Sequence, residues 1–393
     1  MENKKIFTIA WDFYPKTSGE STVCRRSLTN SRHSYDIVSG FFGKEEQQIK
    51  NCHIYSIKGE KYLLFSIRAL KLFKELNKIN TYKVLYTRVH PANAHFAGCL
   101  IKCFYPKLKW IVYFSDPVWN SPFITPFSFF KKDKVARPRY IVMKIMGIFS
   151  KIAIIKSDIL VFNNDRLAKY VLGRNYDKYK QKIVIIPYGH DGLKSNNNKI
   201  KLKEGKFCFA HVGKLYGERN LDNIVKALKI LKKEKSDFYN NISIFLVGEI
   251  DEYNINLIKE NNLQDVFEVI GLVEYEKSLY YINNADCLLI IDTNFKEQKY
   301  NIYTPSKIFD YMASCNLILA ITANNTSTTD ITTPAQILTA NHNGHDICNE
   351  FMKIMEGGLQ PDLELFDKFN CKNYIKILDD RIDRMIEEYN VQK

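Results

Sequence analysis

The sequence predicts an α/β protein built on two parallel sheets, and three observations lead there. Short apolar runs of strand length alternate with amphipathic helical stretches along nearly the whole chain, a pattern whose strands lie parallel with helices covering both faces. The alternation breaks once, at residues 192–206, which are polar, rich in Asn and Lys, and without core periodicity. A length of 393 residues with 46% hydrophobic and 13% aromatic content supports two separate cores. The expected organisation is a first domain at 1–190, a linker at 191–206, a second domain at 207–372 and a final amphipathic helix in 373–393.

In the first domain, strands are expected at 6–11, 35–39, 53–57, 82–86, 110–114, 158–162 and 183–186, separated by helical patterns such as 62–79 and 92–103. Residues 6–11 lead through Asp12-Phe13-Tyr14-Pro15 to Gly19, just ahead of a helix. A glycine there, at the carboxyl end of a strand, lets a ligand approach backbone; a plain turn glycine is the alternative. Asp116 follows the strand 110–114 and is a candidate catalytic group at a strand end, or else a cap for the turn at Pro117. Residues 122–139 interleave Phe123, Phe127, Phe129 and Phe130 with Lys131, Lys132, Lys134, Arg137 and Arg139, and an apolar, lysine-bearing helix follows at 140–155. That composition suits an anionic lipid surface; a solvated basic loop is the alternative.

In the second domain, strands are expected at 207–212, 242–247, 267–270, 287–291 and 317–321. After the first of these comes Gly213-Lys214-Leu215-Tyr216-Gly217-Glu218-Arg219, which places glycines and cations at a strand-to-helix crossing. It is neither a Walker A loop nor a Gly-x-Gly-x-x-Gly loop, yet Lys214 and Arg219 can neutralise a diphosphate; plain exposed loop cations are the alternative. The stretch Thr304-Pro305-Ser306-Lys307-Ile308-Phe309-Asp310 reads as a helix start, with Thr304 as N-cap and Pro305 in the first helical position. Ser306 and Lys307 then fall where backbone N–H groups and the positive helix end gather, a poor place for a lysine unless an anion sits opposite. Asp310, one turn on, adds a carboxylate that can take a hydroxyl, or can pair with Lys307 as an ordinary surface ion pair.

Composition excludes several function classes. No apolar run is long enough to span a bilayer, and the N-terminus reaches Asp12 before a secretory segment could form, so a cytoplasmic location is expected. Nine scattered cysteines contain no Cys-x-x-Cys pair, and His342-x-x-His345 stands isolated, so neither a disulfide framework nor a metal site is expected. Residues 1–200 hold 35 Lys and Arg against 14 Asp and Glu, a net +21, which leaves −7 of the overall +14 for the rest. The basic half fits an anionic membrane or a phosphorylated substrate; no nucleic-acid motif accompanies it, and nucleic acid ranks last.

Taken together, Phe13-Tyr14-Pro15 through Gly19, Phe114-Ser115-Asp116-Pro117, Ile186-Pro187-Tyr188-Gly189, Val212-Gly213-Lys214 with Arg219, Gly271-Leu272-Val273, Ala285-Asp286 and Pro305 through Ala313 resemble the GT-B glycosyltransferases. The likeness is strongest to the family 4 enzymes of bacterial surface-polysaccharide synthesis. It implies two Rossmann-like domains facing a cleft, an acceptor domain first and a nucleotide-sugar domain second, with the final helix returning to the first. It also implies that Arg219 and Lys214 hold the donor diphosphate, that Leu272 lies in the nucleobase segment, and that Asp310 takes the ribose in place of the second glutamate of a Glu-x7-Glu motif. The first glutamate of that motif would fall at Ile302, with Glu297 the nearest substitute. The expected activity is retaining sugar transfer from a nucleotide-diphosphate donor to a lipid-linked or saccharide acceptor, at the inner membrane face, without cofactor or metal. A GT-B nucleotide-sugar epimerase and a catalytically inactive partner subunit are the alternatives.

Overall fold

Alternating buried strands and amphipathic helices assemble into two parallel sheets in a computed structural model, which describes residues 4–16, 18–40, 46–58, 62–89, 93–122, 136–196, 198–295 and 297–391. The chain divides into two compact units, residues 1–189 with 371–393, and residues 190–370.

The first unit carries an eight-stranded sheet of β1 (Lys5–Ala10), β2 (Ser34–Gly40), β3 (Glu46–Ile49), β4 (Cys52–Ile57), β5 (Val84–Val89), β6 (Lys109–Phe114), β7 (Ile159–Phe162) and β8 (Ile183–Ile185), in the order β3-β4-β2-β1-β5-β6-β7-β8. All pairings are parallel except β3 with β4. The second unit has β9 (Phe207–Val212), β10 (Ile242–Val247), β11 (Phe267–Gly271), β12 (Cys287–Ile291), β13 (Leu317–Ile321) and β14 (Leu338–Ala340), all parallel, in the order β11-β10-β9-β12-β13-β14. Central strands such as β10 (Ile-Ser-Ile-Phe-Leu-Val) are buried at every residue, because helices cover both faces of the sheet.

Two strands escaped the sequence reading. β3 is a four-residue polar edge, and β14 is three residues long, both too short to show periodicity. The strand expected at 82–86 begins instead at Val84: Tyr82 is buried outside it, its hydroxyl donating to the buried carboxylate of Asp36. The stretch 191–206, expected to be a free linker, runs along the second unit. Ile200 N donates to Asn284 Oδ1 (2.8 Å), and Lys201 and Lys203 pair with Asp286 (3.2 Å) and Glu268 (2.6 Å). All nine cysteines are free thiols, seven of them buried.

The C-terminal helix Cys371–Val391 belongs to the first unit, where Ile375, Leu378, Ile382, Met385 and Ile386 enter the core beside Ile6, Tyr35 and Val84. Asp379, 3% exposed, accepts from Ser31 Oγ (2.6 Å) and Arg32 N (3.0 Å), and the Arg32 guanidinium reaches Asp380 (2.8 Å) and Asp383. Removing the Asp379 acceptor leaves buried donors unpaired, so Asp379→Ala should cost the first unit about 2 kcal/mol. Trp11, Trp110 and Trp119, the only tryptophans, all lie in that unit, so urea unfolding followed by tryptophan fluorescence measures the loss directly.

Candidate functional site

In the second unit the strand order reverses between β9 and β12, and ligands of open α/β sheets bind at the carboxyl ends of strands flanking such a reversal. The loop after β9 carries Gly213, Lys214 and Arg219; the loop after β12 starts at Asp292 and delivers the chain to the helix Lys307–Ala313. Both ends of that helix's inner face are tied to β9. Lys307 Nζ lies 3.1 Å from His211 Nε2, and one turn later the buried Tyr311 hydroxyl accepts from Val212 N (2.8 Å).

The tautomer of His211 follows from its partners. Its Nδ1 is 3.0 Å from the carbonyl oxygen of Leu289, which can only accept, so Nδ1 carries the proton. Complete burial, with Lys307 and Arg219 close by, holds the imidazole pKa well below its ordinary range, so the ring is neutral and Nε2 accepts from Lys307. Lys307 is itself held well below the ordinary lysine range, by burial first and then by Arg219, with Asp292 pulling the other way. Asp292 is already engaged by Thr293 N (2.8 Å), Thr322 Oγ1 (3.0 Å) and Thr328 Oγ1. Arg219 is half-buried with its Nε unpaired among the described residues. Two neighbouring cationic side chains, one of them opposed only by an already engaged carboxylate, make an arrangement that favours a bound anion.

Glycine makes room for this. Gly213 has φ +142°, and a Cβ there would lie 2.2 Å from Lys307 Nζ; a Cβ on Gly248, at φ +131°, would lie 2.4 Å from the Gly213 carbonyl oxygen. Gly213 N donates to Val247 O (2.7 Å) and Gly248 N to Gly271 O (2.8 Å), so the strand ends are stitched together in series. Leu272, next along, is 82% exposed.

Other expected site residues are placed less tightly. Lys214 is exposed and paired with the exposed Glu249. The helix starts two residues later than expected: Ser306, not Thr304, takes the cap position with helical backbone and no capping side-chain bond, and Pro305 is buried before it. Asp310 lies in the first turn, half-buried. Ile302 is 3% exposed, while Glu297 sits on an exposed turn paired with Lys299 at 2.5 Å. Sequence reasoning missed His211 and Asp292, which sit in or beside apolar strands, and Tyr311, on the inner face of the helix Lys307–Ala313; all three read as core.

In the first unit, Ser18 caps the helix Gly19–Thr29 and Gly19 is its exposed first residue. Glu20 meets the buried Arg88 (3.0 Å), whose guanidinium also lies 3.7 Å from the Tyr113 ring centre and donates to Tyr86 OH (2.9 Å). Burial pushes the Glu20 carboxyl up to about 7, against the pull of Arg88 and with the help of Asp116. Asp116, half-buried after β6, therefore faces a second carboxyl that no sequence signal marked. Among the described residues no group of three His, Cys, Asp or Glu is gathered that could hold a metal ion.

Residues 194–357 match the family model for glycosyl transferases group 1. None of the curated proteins compared with the chain matches it in sequence. Among solved structures, the chain is similar to sucrose-phosphate synthase from Thermosynechococcus elongatus (12% identity, TM-score 0.63, covering 100% of both chains). It is also similar to Anabaena Alr3699/HepE in complex with UDP (9%, TM-score 0.63, 98% of this chain and 100% of that one). A third likeness is to a Listeria monocytogenes protein assigned as a UDP-N-acetylglucosamine 2-epimerase (8%, TM-score 0.55, 100% and 98%). The shared feature is the GT-B fold, with its two parallel-sheet α/β domains.

The neutral His211 has a measurable signature. Below about pH 6.5 the unfolded chain takes up a proton on this imidazole that the folded protein refuses. Its contribution is therefore complete above that pH and declines, by about 1.4 kcal/mol per pH unit, as pH falls toward the depressed folded value. The stability advantage of wild type over His211→Gln should shrink between pH 8 and pH 5; a constant difference in urea titrations means the ring is charged or free.

Proposed function

We propose that the chain is a glycosyltransferase that moves a sugar from a nucleoside-diphosphate donor to a lipid-linked or saccharide acceptor in bacterial surface-polysaccharide synthesis, at the inner face of the membrane. The observation that carries this reading is Lys307. It is held by His211, cleared by Gly213 and coupled to Arg219 at the strand reversal of the unit that matches the group 1 model.

In this reading the diphosphate lies against Lys307 and Arg219. As the glycosidic bond breaks, charge gathers on the departing diphosphate, and two preorganised cations stabilise it more than the ground state. Their mutual repulsion is relieved at the same time. Asp310 is assigned to the ribose and the exposed Leu272 to the nucleobase. Lys214 is a weaker candidate for the phosphates, since Glu249 already holds it. Asp116 is assigned to the acceptor hydroxyl as base or orienting group, with Glu20 beside it. Retention of configuration is the expected outcome, and neither metal nor cofactor is invoked.

The alternative, a nucleotide-sugar epimerase, draws support from the fold likeness to the Listeria protein. Incubation with a panel of nucleotide-sugars separates the two: an epimerase accumulates the epimeric nucleotide-sugar, whereas a transferase releases nucleoside diphosphate once the acceptor is present. An inactive partner subunit does neither.

Lys307→Ala and Arg219→Ala should each weaken UDP binding by roughly 10- to 150-fold, the range of a charge-assisted hydrogen bond worth about 1.5–3 kcal/mol. Because a bound diphosphate favours the ammonium form, wild-type affinity should fall as pH rises through the depressed Lys307 value, and Lys307→Ala should abolish that dependence. Calorimetry across pH tests both; wild-type affinity in both variants defeats the assignment.

Asp116→Asn should lower kcat by 100-fold or more, on the order of general base catalysis, with donor KM nearly unchanged. Near-normal turnover returns Asp116 to capping the turn before Pro117.

A further inference from the structure

The helix Ala136–Lys156 of the first unit is built inside out. Its inner face is already apolar, with Met143, Met146, Ala153 and Ile154 buried against the unit. Its outer face carries Ile141 (49% exposed), Ile145 (47%), Ile148 (58%), Ile152 (38%) and Ile155 (58%). They are spaced four, three, four and three residues apart, so they form one continuous stripe along the helix. The only other exposed residues from 141 to 156 are Lys144, Lys151 and Lys156. A helix on the surface of a globular unit ordinarily turns such isoleucines inward, and a contiguous exposed stripe marks an interaction surface.

Charge identifies the occupant. Residues 136–156 include five basic residues and no Asp or Glu. Among the described residues, none of the three outer lysines has a carboxylate partner; Lys144 Nζ reaches the Trp119 carbonyl oxygen (3.1 Å) and lies 5.3 Å from the Tyr140 ring centre, and Lys151 lies 5.3 Å from the Trp119 ring centre. An isoleucine seam at this spacing could also meet its own copy, but two such helices would bring lysine against lysine with no acidic residue to answer. A surface that is apolar below and anionic at its boundary satisfies both side-chain types: isoleucines enter the acyl layer while lysine stems extend to the headgroups. The helix does not meet the length and apolarity needed to cross a bilayer. Its 21 residues span about 31 Å, enough to lie flat along the surface.

We infer that the outer face of this helix is a docking surface for anionic phospholipid, with the isoleucine stripe immersed and the lysines at the headgroup level. The inference deepens the membrane-face reading of the proposed function by naming the surface, and it rests on that reading only for its purpose, since lipid binding can be measured apart from sugar transfer.

The test is co-sedimentation with vesicles of phosphatidylcholine alone and of phosphatidylcholine mixed with phosphatidylglycerol, at low and high salt. Wild type should bind the anionic vesicles at low salt and weaken as salt rises. Changing Ile145, Ile148 and Ile152 together to Ser should weaken binding at least roughly tenfold, given the apolar area removed. Changing Lys144, Lys151 and Lys156 together to Gln should weaken it and flatten the salt dependence. All these side chains are exposed, so circular dichroism and UDP binding should match wild type in both variants. The inference is overturned if wild type ignores anionic vesicles, if it binds neutral vesicles equally well, or if both variants bind like wild type. It is also overturned if sedimentation velocity shows a dimer that the serine variant dissolves while vesicles are ignored, which would make the occupant a second copy. Vesicle binding without any UDP binding would leave the docking surface standing and remove the transferase reading.

Discussion

The hydrogen bond from Lys307 to His211 is the constraint on which the second unit's site depends. The Lys307 amine at the end of β9 needs an acceptor with a free lone pair, which an imidazolium lacks and the buried, neutral imidazole supplies. The imidazole in turn needs its proton on Nδ1, which the Leu289 carbonyl of the neighbouring strand β12 secures. The same geometry admits no side chain at position 213. A histidine, a glycine just after it and a lysine far along the chain are thus parts of one device, and the two central strands of the sheet set their spacing.

The two units treat their inward-facing cations in opposite ways. In the first, Arg88 is answered from several sides, by Glu20, by the Tyr86 hydroxyl and by the face of the Tyr113 ring, so its charge is spent within the protein. In the second, burial and Arg219 hold the Lys307 pKa down, while the carboxylate that opposes them, Asp292, is occupied by two threonine hydroxyls and a backbone N–H. Free cationic character at a strand reversal suits an anionic donor group. A neutralised guanidinium beside a carboxyl that titrates near 7 suits a neutral hydroxyl instead. On the proposed reading, one strand-helix architecture, used twice, serves two chemically different groups.

The helix Ala136–Lys156 adds a different kind of constraint. Most helices here bury one stripe and expose polar residues, whereas this one is apolar toward the core and apolar toward solvent, with lysines as its only exposed polar residues over residues 141–156. Such a face is costly in water, which is the physical ground for giving it a lipid partner.

The sequence by itself determined the alternation of strands and helices, because buried parallel strands need uninterrupted apolar runs and intervening helices need a 3.6-residue period, and both survive in the order of residues. It also marked Lys307 and Arg219, since cations at helix starts and strand ends violate a local preference and so stand out. The basic segment 123–135, read there as a lipid-facing loop, lies outside the described residues; only the helix after it could be compared. What tertiary structure alone decided is the partnership of these groups. His211 and Asp292 read as parts of apolar strands until β9 and β12 are placed side by side, and Glu20 reads as an ordinary first-turn acid until β5 brings Arg88 to it. The exposed isoleucines are periodic in the sequence either way; which side of the helix faces the sheet is settled only by packing. Local preference is written residue by residue, whereas pairing across strands and the choice between two apolar faces arise from long-range geometry that no short window contains.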